Sequence, residues 1–148
     1  MWRLIRNVRL RGAIYRGDAV AVERLLRAGA NPECKNPQGL TALMLAAAEG
    51  TESVIRTLVI AGADVNRVVT VSYPATSGAT TLMAACNESS GSVAAVQTLL
   101  ELGADPNATD SLGRTAHDYA EISGYSDIVA YFVAIGAPSG SGQGTRPV

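Results

Sequence analysis

The chain has 148 residues and a formal net charge of −1, with 12 basic and 13 acidic side chains. This balance lacks the basic excess of a nucleic-acid-binding domain, so we expect no nucleic-acid partner. One histidine and two cysteines are too few for the four ligands of an ordinary zinc site, and no apolar run approaches membrane-spanning length.

The first 30 residues are strongly basic, and the remainder of the chain is acidic. Seven arginines stand against two acidic residues in this segment, a balance of +5, whereas residues 31–148 have a balance of −6. Arginines alternate with apolar side chains from Trp2 to Val8, a pattern shared by mitochondrial presequences and by helices that lie on membrane surfaces. We favour the solvent-exposed face of an N-terminal capping helix, because the segment runs directly into the apolar pair Ala13-Ile14.

A short motif recurs along the chain and sets its organisation. It occurs as Gly29-Ala30-Asn31, Gly62-Ala63-Asp64, Gly103-Ala104-Asp105 and Gly136-Ala137, at intervals of 33, 41 and 33 residues. A second series keeps the same intervals and consists of Gly17, Gly50, Gly91 and Gly124. A period near 33 residues predicts helix–turn–helix units stacked side by side.

Each unit is predicted to contain two helices, as the second unit illustrates. Residues 41–50 form a short alanine-rich segment, and residues 54–60 place their apolar side chains along one stripe of a helix. Gly62 follows at a position where glycine ends a helix in the left-handed conformation at the least cost. Because alanine lets a neighbouring helix approach closely, we expect four alanines at the contacts between units. These are Ala46, Ala47, Ala84 and Ala85.

The residues that carry the period resemble the ankyrin repeat. Its pattern runs roughly Gly-x-Thr-Pro-Leu-His-x-Ala-Ala, then Leu-Leu, then Gly-Ala-Asp-x-Asn, and it is matched over about residues 8–138. The resemblance implies an all-α fold, an ankyrin-type solenoid of stacked helix–turn–helix repeats with finger-like β-turn loops and no sheet beyond short turns. The four units are placed at about 1–31, 32–64, 65–105 and 106–138, and a disordered Gly/Ser-rich tail at 139–148.

The third unit is eight residues longer than its neighbours. Six of the extra residues enlarge the finger at 67–77, and two lengthen the turn at 87–91. A neutral insertion is one interpretation, because lengthening a surface loop costs little. A contact role is the other, because an idle loop does not need apolar side chains. The apolar residues in question are Val68, Val69, Val71 and Tyr73.

The sequence contains no pattern that predicts catalysis or a cofactor. His117 and Asp118 are adjacent on a helix, where their side chains diverge by about 100°, and no serine is matched to them. We assign His117 a capping role in the last unit.

Cys86 is expected to be a small buried side chain, and Cys34 has only Lys35 nearby to stabilise a thiolate. The two cysteines form no disulfide framework, which is typical of proteins in a reducing compartment. We therefore expect a protein that is not an enzyme and has no cofactor.

The resemblance implies a partner-binding surface made of the finger tips and the exposed face of the first helix in each unit. Tyrosine and arginine are frequent interface hot spots, and exposed Leu40, Leu112 and Ile122 would add apolar anchors. The predicted surface consists of Tyr15, Arg16, Pro37, Gln38, Leu40, Glu49, Tyr73, Pro74, Asn87, Glu88, Ser111, Leu112, Arg114 and Ile122.

The function that follows is a non-catalytic protein–protein interaction module, a scaffold or adaptor, in the cytoplasm or the nucleus. We expect another protein as its partner, no binding to membranes, and a monomer in the absence of the partner. Two alternatives stay open. One is a regulatory or targeting domain of a larger multidomain protein, with the Gly/Ser tail as a linker. The other is a membrane-peripheral adaptor that uses the arginine-rich N-terminus.

Overall fold

The computed structural model describes residues 1–72, 75–87 and 91–140. Within these ranges eight helices form four consecutive pairs. The pairs are α1 (Trp2–Tyr15) with α2 (Ala19–Arg27), α3 (Ala42–Ala48) with α4 (Glu52–Ile60), α5 (Thr81–Ala85) with α6 (Val93–Glu101), and α7 (Ala116–Ser123) with α8 (Ser126–Ala134). The first helices of successive pairs contact one another, and so do the second helices, so that the pairs form a stack. The predicted all-α solenoid is confirmed.

Three of the first helices begin in the same way, at a threonine. The hydroxyl of Thr41 accepts a hydrogen bond from the amide of Met44 at 3.2 Å. Thr80 caps α5 in the same manner, and Thr115 caps α7 within a reciprocal capping box with Asp118. These caps satisfy amides that have no partner inside the helix, which is why each helix begins at this point in its unit.

The second helices end at glycine, as the sequence predicts. Gly62 has a φ of +99°. Its amide donates to the carbonyl of Val59, and the amide of Ala63 donates to that of Leu58, both at 3.0 Å. The left-handed residue turns the chain out of α4 at no steric cost and directs it into the next finger.

A continuous apolar core runs through all four pairs. Ala46, Ala47 and Ala85 are buried in it, as predicted, whereas Ala84 is partly buried and packs on a separate, smaller apolar cluster. Small side chains at these positions allow α3 and α5 to pack against each other.

The finger of the third unit departs from the expectation that no sheet extends beyond short turns. Val69–Ser72 (β1) pairs in antiparallel register with Ala75–Ala79 (β2), with an irregularity between Val69 and Val71. The inserted segment is rich in valine and threonine, whose branched side chains favour a pleated conformation. The insertion is therefore a β-hairpin rather than an enlarged turn.

Val69 is buried, which corrects the interpretation of the finger as an exposed apolar loop. Its side chain is 4% exposed and packs with Met44 in a second, smaller apolar cluster. Leu40, Ala79 and Ala84 border this cluster. Val68, one residue earlier, is exposed, so alternate residues face the core and the solvent.

The chain after α8 folds back on the start of α7. His117 is buried, stacks on Phe132 with ring centroids 5.6 Å apart, and has Nδ1 3.3 Å from the carbonyl oxygen of Ala137. His117 is thus a buried structural residue of the last unit, and its capping role stays a prediction. The amide of Gly140 donates to Asp118 at 2.8 Å. The disorder expected for residues 139–148 stays a prediction. Residues 141–148 lie outside the described residues.

Candidate partner-binding surface

The fingers of the second and fourth units are built by the same turn. In the second unit the side-chain oxygen of Asn36 accepts from the amides of Gln38 at 3.0 Å and Leu40 at 2.9 Å. In the fourth unit Asp110 accepts in the same way from the amides of Leu112 and Arg114, each at 2.9 Å. These bonds hold each finger tip in one conformation, because the side-chain oxygen accepts from turn amides in place of a backbone carbonyl.

Asp110 is also the centre of a polar network that fixes the fourth finger. Its second oxygen accepts from Arg114 Nε and from the hydroxyl of Tyr119, both at 2.8 Å. The Arg114 guanidinium lies 4.7 Å from the centre of the Tyr119 ring. Burial acts to raise the pKa of Asp110. The opposing hydrogen bonds from Arg114, Tyr119 and Leu112 lower that pKa below its usual value, which keeps the carboxylate charged.

The hairpin of the third unit joins the fourth finger directly. The amide of Ser111 donates to the carbonyl oxygen of Ser77 at 2.8 Å. Gly78 makes this approach possible, because a Cβ there would lie 3.2 Å from the Cα of Asp110. The insertion therefore supports the neighbouring finger as well as forming its own hairpin.

A second set of bonds joins the beginning of a unit to its end. In each of the first three units a side-chain oxygen near the beginning accepts a hydrogen bond from a backbone amide at the end of the same unit. These bonds join Asn7 to the amide of Asn31 at 2.9 Å, Glu33 to that of Asp64 at 2.6 Å, and Asn66 to that of Asp105 at 2.8 Å. All three donors belong to the recurring Gly-Ala-Asn/Asp motif, so the motif is held against the segment with which its own unit begins.

The comparison with known families agrees with this architecture. Residues 10–110 match the family model described as ankyrin repeats in three copies. The chain belongs to the ankyrin repeat family. The fourth helix pair follows the matched residues and continues the same stack of ankyrin repeats.

One curated relative is the "Ankyrin repeat and LEM domain-containing protein 1 homolog" of Caenorhabditis elegans, which is 42% identical over 87 residues. The match covers 57% of this chain and 11% of the relative. The likeness is thus limited to a small part of a much longer protein.

Most of the predicted surface residues that the structure describes are exposed. The exposed members are Tyr15, Arg16, Pro37, Gln38, Glu49, Asn87, Ser111, Leu112 and Ile122. Tyr73, Pro74 and Glu88 lie outside the described residues.

Two members of the predicted surface have structural roles instead. Leu40 is partly buried and packs on both apolar clusters, so the expectation of an exposed anchor is wrong. It follows the finger turn directly, where the chain returns to the core. Arg114 is half-buried, and its guanidinium is committed to Asp110 and Tyr119. Sequence reasoning missed this network, although Asp110 precedes Gly113 as Asn36 precedes Gly39.

Neither cysteine is placed for reactivity. Cys86 is buried, and burial raises the pKa of its thiol to about 12. Burial also raises the pKa of Cys34, and the nearby Arg11 opposes the shift without reversing it. Both cysteines are free, and the sequence predicted no disulfide framework.

Within the described ranges, no group of three His, Cys, Asp or Glu side chains is placed to hold a metal, and no helix combines the length and apolarity of a membrane span.

Proposed function

We propose that this ankyrin repeat protein is a non-catalytic interaction module whose protein partner binds across the finger tips and the exposed faces of α1 and α7. Ankyrin repeats are generally protein-binding modules, so the family supports this class of function. The observation that carries the proposal is the rigid presentation of the second and fourth finger tips. Exposed Leu112 at the fourth tip is the residue most suited to anchor a partner, because a large apolar side chain on a fixed turn loses little entropy on binding.

The third-unit hairpin contributes to this surface by position. It lies against the fourth finger through the Ser77–Ser111 bond, so a partner that covers Leu112 would also approach the hairpin. Ile122 in α7 extends the exposed apolar surface along the fourth unit. We expect these side chains to act as anchors and their polar neighbours to provide complementarity.

The setting of the module is also a proposal. Two free, buried cysteines support a reducing compartment, and we place the protein in the cytoplasm or the nucleus. We expect the protein to be a monomer without its partner. The limited coverage of the Caenorhabditis elegans relative supports a second candidate, in which the same module regulates or targets a larger protein.

The experiment identifies the partner by affinity capture and mass spectrometry, and then measures affinity by calorimetry. The variants are Leu112→Ser and, as a matched control, Ile60→Ser at the end of α4. Leu112 is 64% exposed and Ile60 is 85% exposed, so each change removes an exposed apolar side chain. We expect Leu112→Ser to weaken binding about tenfold or more and Ile60→Ser to leave it unchanged. Equal affinities for both variants and the parent protein would place the partner elsewhere.

A further inference from the structure

The first helix is longer than capping a stack requires. It has 14 residues, whereas its counterpart α3 has seven. The buried residues of α1 are Leu10, Ala13 and Ile14, all in its second half. The first half therefore extends beyond the part of the helix that packs on the core.

This extension exposes large apolar side chains to solvent. Trp2 is 75% exposed, Leu4 67% and Val8 52%, and Ile5 is exposed as well. At 100° per residue, Leu4, Ile5 and Val8 lie within one arc of about 100°, on the side of α1 opposite Leu10. A capping helix explains a polar outer face, but it does not explain an exposed apolar stripe.

The arginines of α1 have no acidic partners among the described residues, and two of them lie beside this stripe. By the same geometry Arg9 and Arg11 border its two edges, whereas Arg3 and Arg6 lie on the opposite face of the helix. In the described part of the chain no salt bridge involves Arg3, Arg6 or Arg9. Between α1 and α2 lies an open groove of about 430 Å³, where Arg9, Arg16 and Arg24 surround a floor that includes Leu25. Asp18, the first acidic residue of the chain, is engaged as the cap of α2, where it accepts from the amide of Ala21.

Contrary to the expectation of no membrane binding drawn from the sequence, we propose that the first half of α1 and the adjacent arginine groove form a binding site for an anionic phospholipid surface. The apolar side chains enter the headgroup region, where tryptophan is favoured, and the arginines pair with lipid phosphates and carboxylates. The long arginine stems allow the guanidinium groups to reach the headgroups while the helix lies in the plane of the surface. The helix rests on the membrane and does not span it.

A lipid surface fits these observations better than an acidic protein does. Two adjacent turns of α1 expose apolar groups, an arrangement that suits shallow insertion into a membrane interface. Arg9 and Arg11 border the apolar stripe, and Arg9, Arg16 and Arg24 line the groove, so these side chains meet a broad layer of negative charge rather than a few carboxylates. This inference does not depend on the finger surface or on its partner.

Trp2 provides a specific probe, because it is the single tryptophan of the chain. The test mixes the full chain with vesicles of phosphatidylserine and phosphatidylcholine, or with vesicles of phosphatidylcholine alone, and follows flotation and tryptophan emission. We expect flotation and a blue shift of the emission only with phosphatidylserine, and a loss of both at high salt. Absence of phosphatidylserine-dependent flotation would overturn the proposal.

Two double variants separate the contributions of charge and insertion. Arg9→Glu/Arg16→Glu should lower the partition coefficient at least about tenfold, because both arginines line the groove, and Arg27→Glu serves as its control because Arg27 already pairs with Glu23. Leu4→Ser/Val8→Ser should keep the charge but weaken flotation and reduce the blue shift, with Ile60→Ser as its control. Circular dichroism verifies that each variant is folded, as expected for exposed positions.

Three further outcomes decide against the lipid site. If flotation survives the arginine double variant, the basic face is not the site. If flotation occurs without a blue shift, the helix adsorbs by charge alone and does not insert. If soluble polyglutamate binds as tightly as the vesicles and the Leu4/Val8 variant binds normally, the face receives an acidic protein. Leu112→Ser should bind vesicles like the parent protein, so failure of the lipid site and failure of the finger surface are distinguishable.

Discussion

Gly78 is where the third-unit hairpin approaches the fourth finger most closely, and a methyl group there should destabilise the stack. The residue has a φ of +83°, and a Cβ on it would lie 3.2 Å from the Cα of Asp110 and 3.3 Å from the carbonyl oxygen of Thr109. Both contacts are with backbone, which cannot rotate aside as the end of a side chain does. Gly78→Ala therefore carries a conformational cost and a steric cost.

Gly62 separates these two costs. Its φ is +99°, but nothing lies within 4 Å of the Cβ that alanine would add. Gly62→Ala should lower the free energy of unfolding by the left-handed penalty alone, about 1–2 kcal/mol. Gly78→Ala should lower it by about 2–5 kcal/mol, because packing against fixed backbone adds about 1–3 kcal/mol.

Urea denaturation of the parent protein and the two variants measures both costs. The comparison is valid if the dependence of the unfolding free energy on urea is the same in all three proteins. If Gly78→Ala costs no more than Gly62→Ala, the hairpin and the fourth finger separate freely and the surface is not rigid at this point. The same result would weaken the argument that Leu112 sits on a fixed support.

Four other predictions follow from buried or bonded groups. Ala47→Leu should lower the free energy of unfolding, measured by urea denaturation, by about 1–3 kcal/mol, because Ala47 is fully buried. Ala130→Leu, at an exposed helical position, should lower it by almost nothing. Equal urea midpoints for the two variants would mean that α3 is misplaced. Asn66→Ala removes two hydrogen bonds to the end of the third unit, one to the carbonyl of Gly103 and one from the amide of Asp105, and should cost about 1–2 kcal/mol in the same assay. No loss of stability would show these bonds to be dispensable. Asp110 has a lowered pKa when folded, so the stability that it contributes is complete above the unfolded pKa of about 3.9 and is lost as the pH falls through the folded pKa. Asp110→Asn should therefore lower the free energy of unfolding at pH 7, and the variant should lose less of that free energy on acidification than the parent protein. Parallel pH profiles of stability for the two proteins would contradict this. Cys86 should resist thiol reagents in the native protein at neutral pH, since burial raises its pKa to about 12, and rapid labelling would contradict its burial.

The helical stack was predictable because its signals are local. Thr41 caps a helix through an amide three residues away, and Gly62 ends one through its own φ. Alanine at position 47 similarly reports close packing without any knowledge of the neighbour. Each signal repeats with the period, so the register of the units was evident before any contact was known.

The hairpin and the fourth-finger network were not predictable, because they depend on pairs of residues from different segments. Nothing in the order of residues 67–77 indicates that Val69 packs on Met44, a residue of the preceding unit. Likewise, the pattern marks Arg114 as a finger residue, but its burial follows from the side chains of Asp110 and Tyr119. Loops follow their neighbours more than their own propensities.

The contacts of the hairpin and of the fourth-finger network explain how loops in this stack can serve for recognition. A flexible finger would have to be ordered when a partner binds, which would reduce the affinity. Here the cost of ordering is met during folding, because Asp110 fixes the fourth finger and the Ser77–Ser111 bond joins it to the hairpin. The bond from the amide of Asp105 to Asn66 joins the beginning of the third unit to its end. Exposed side chains such as Leu112 are therefore held at defined positions, and substitutions at the supports should weaken binding even though the supports do not touch the partner.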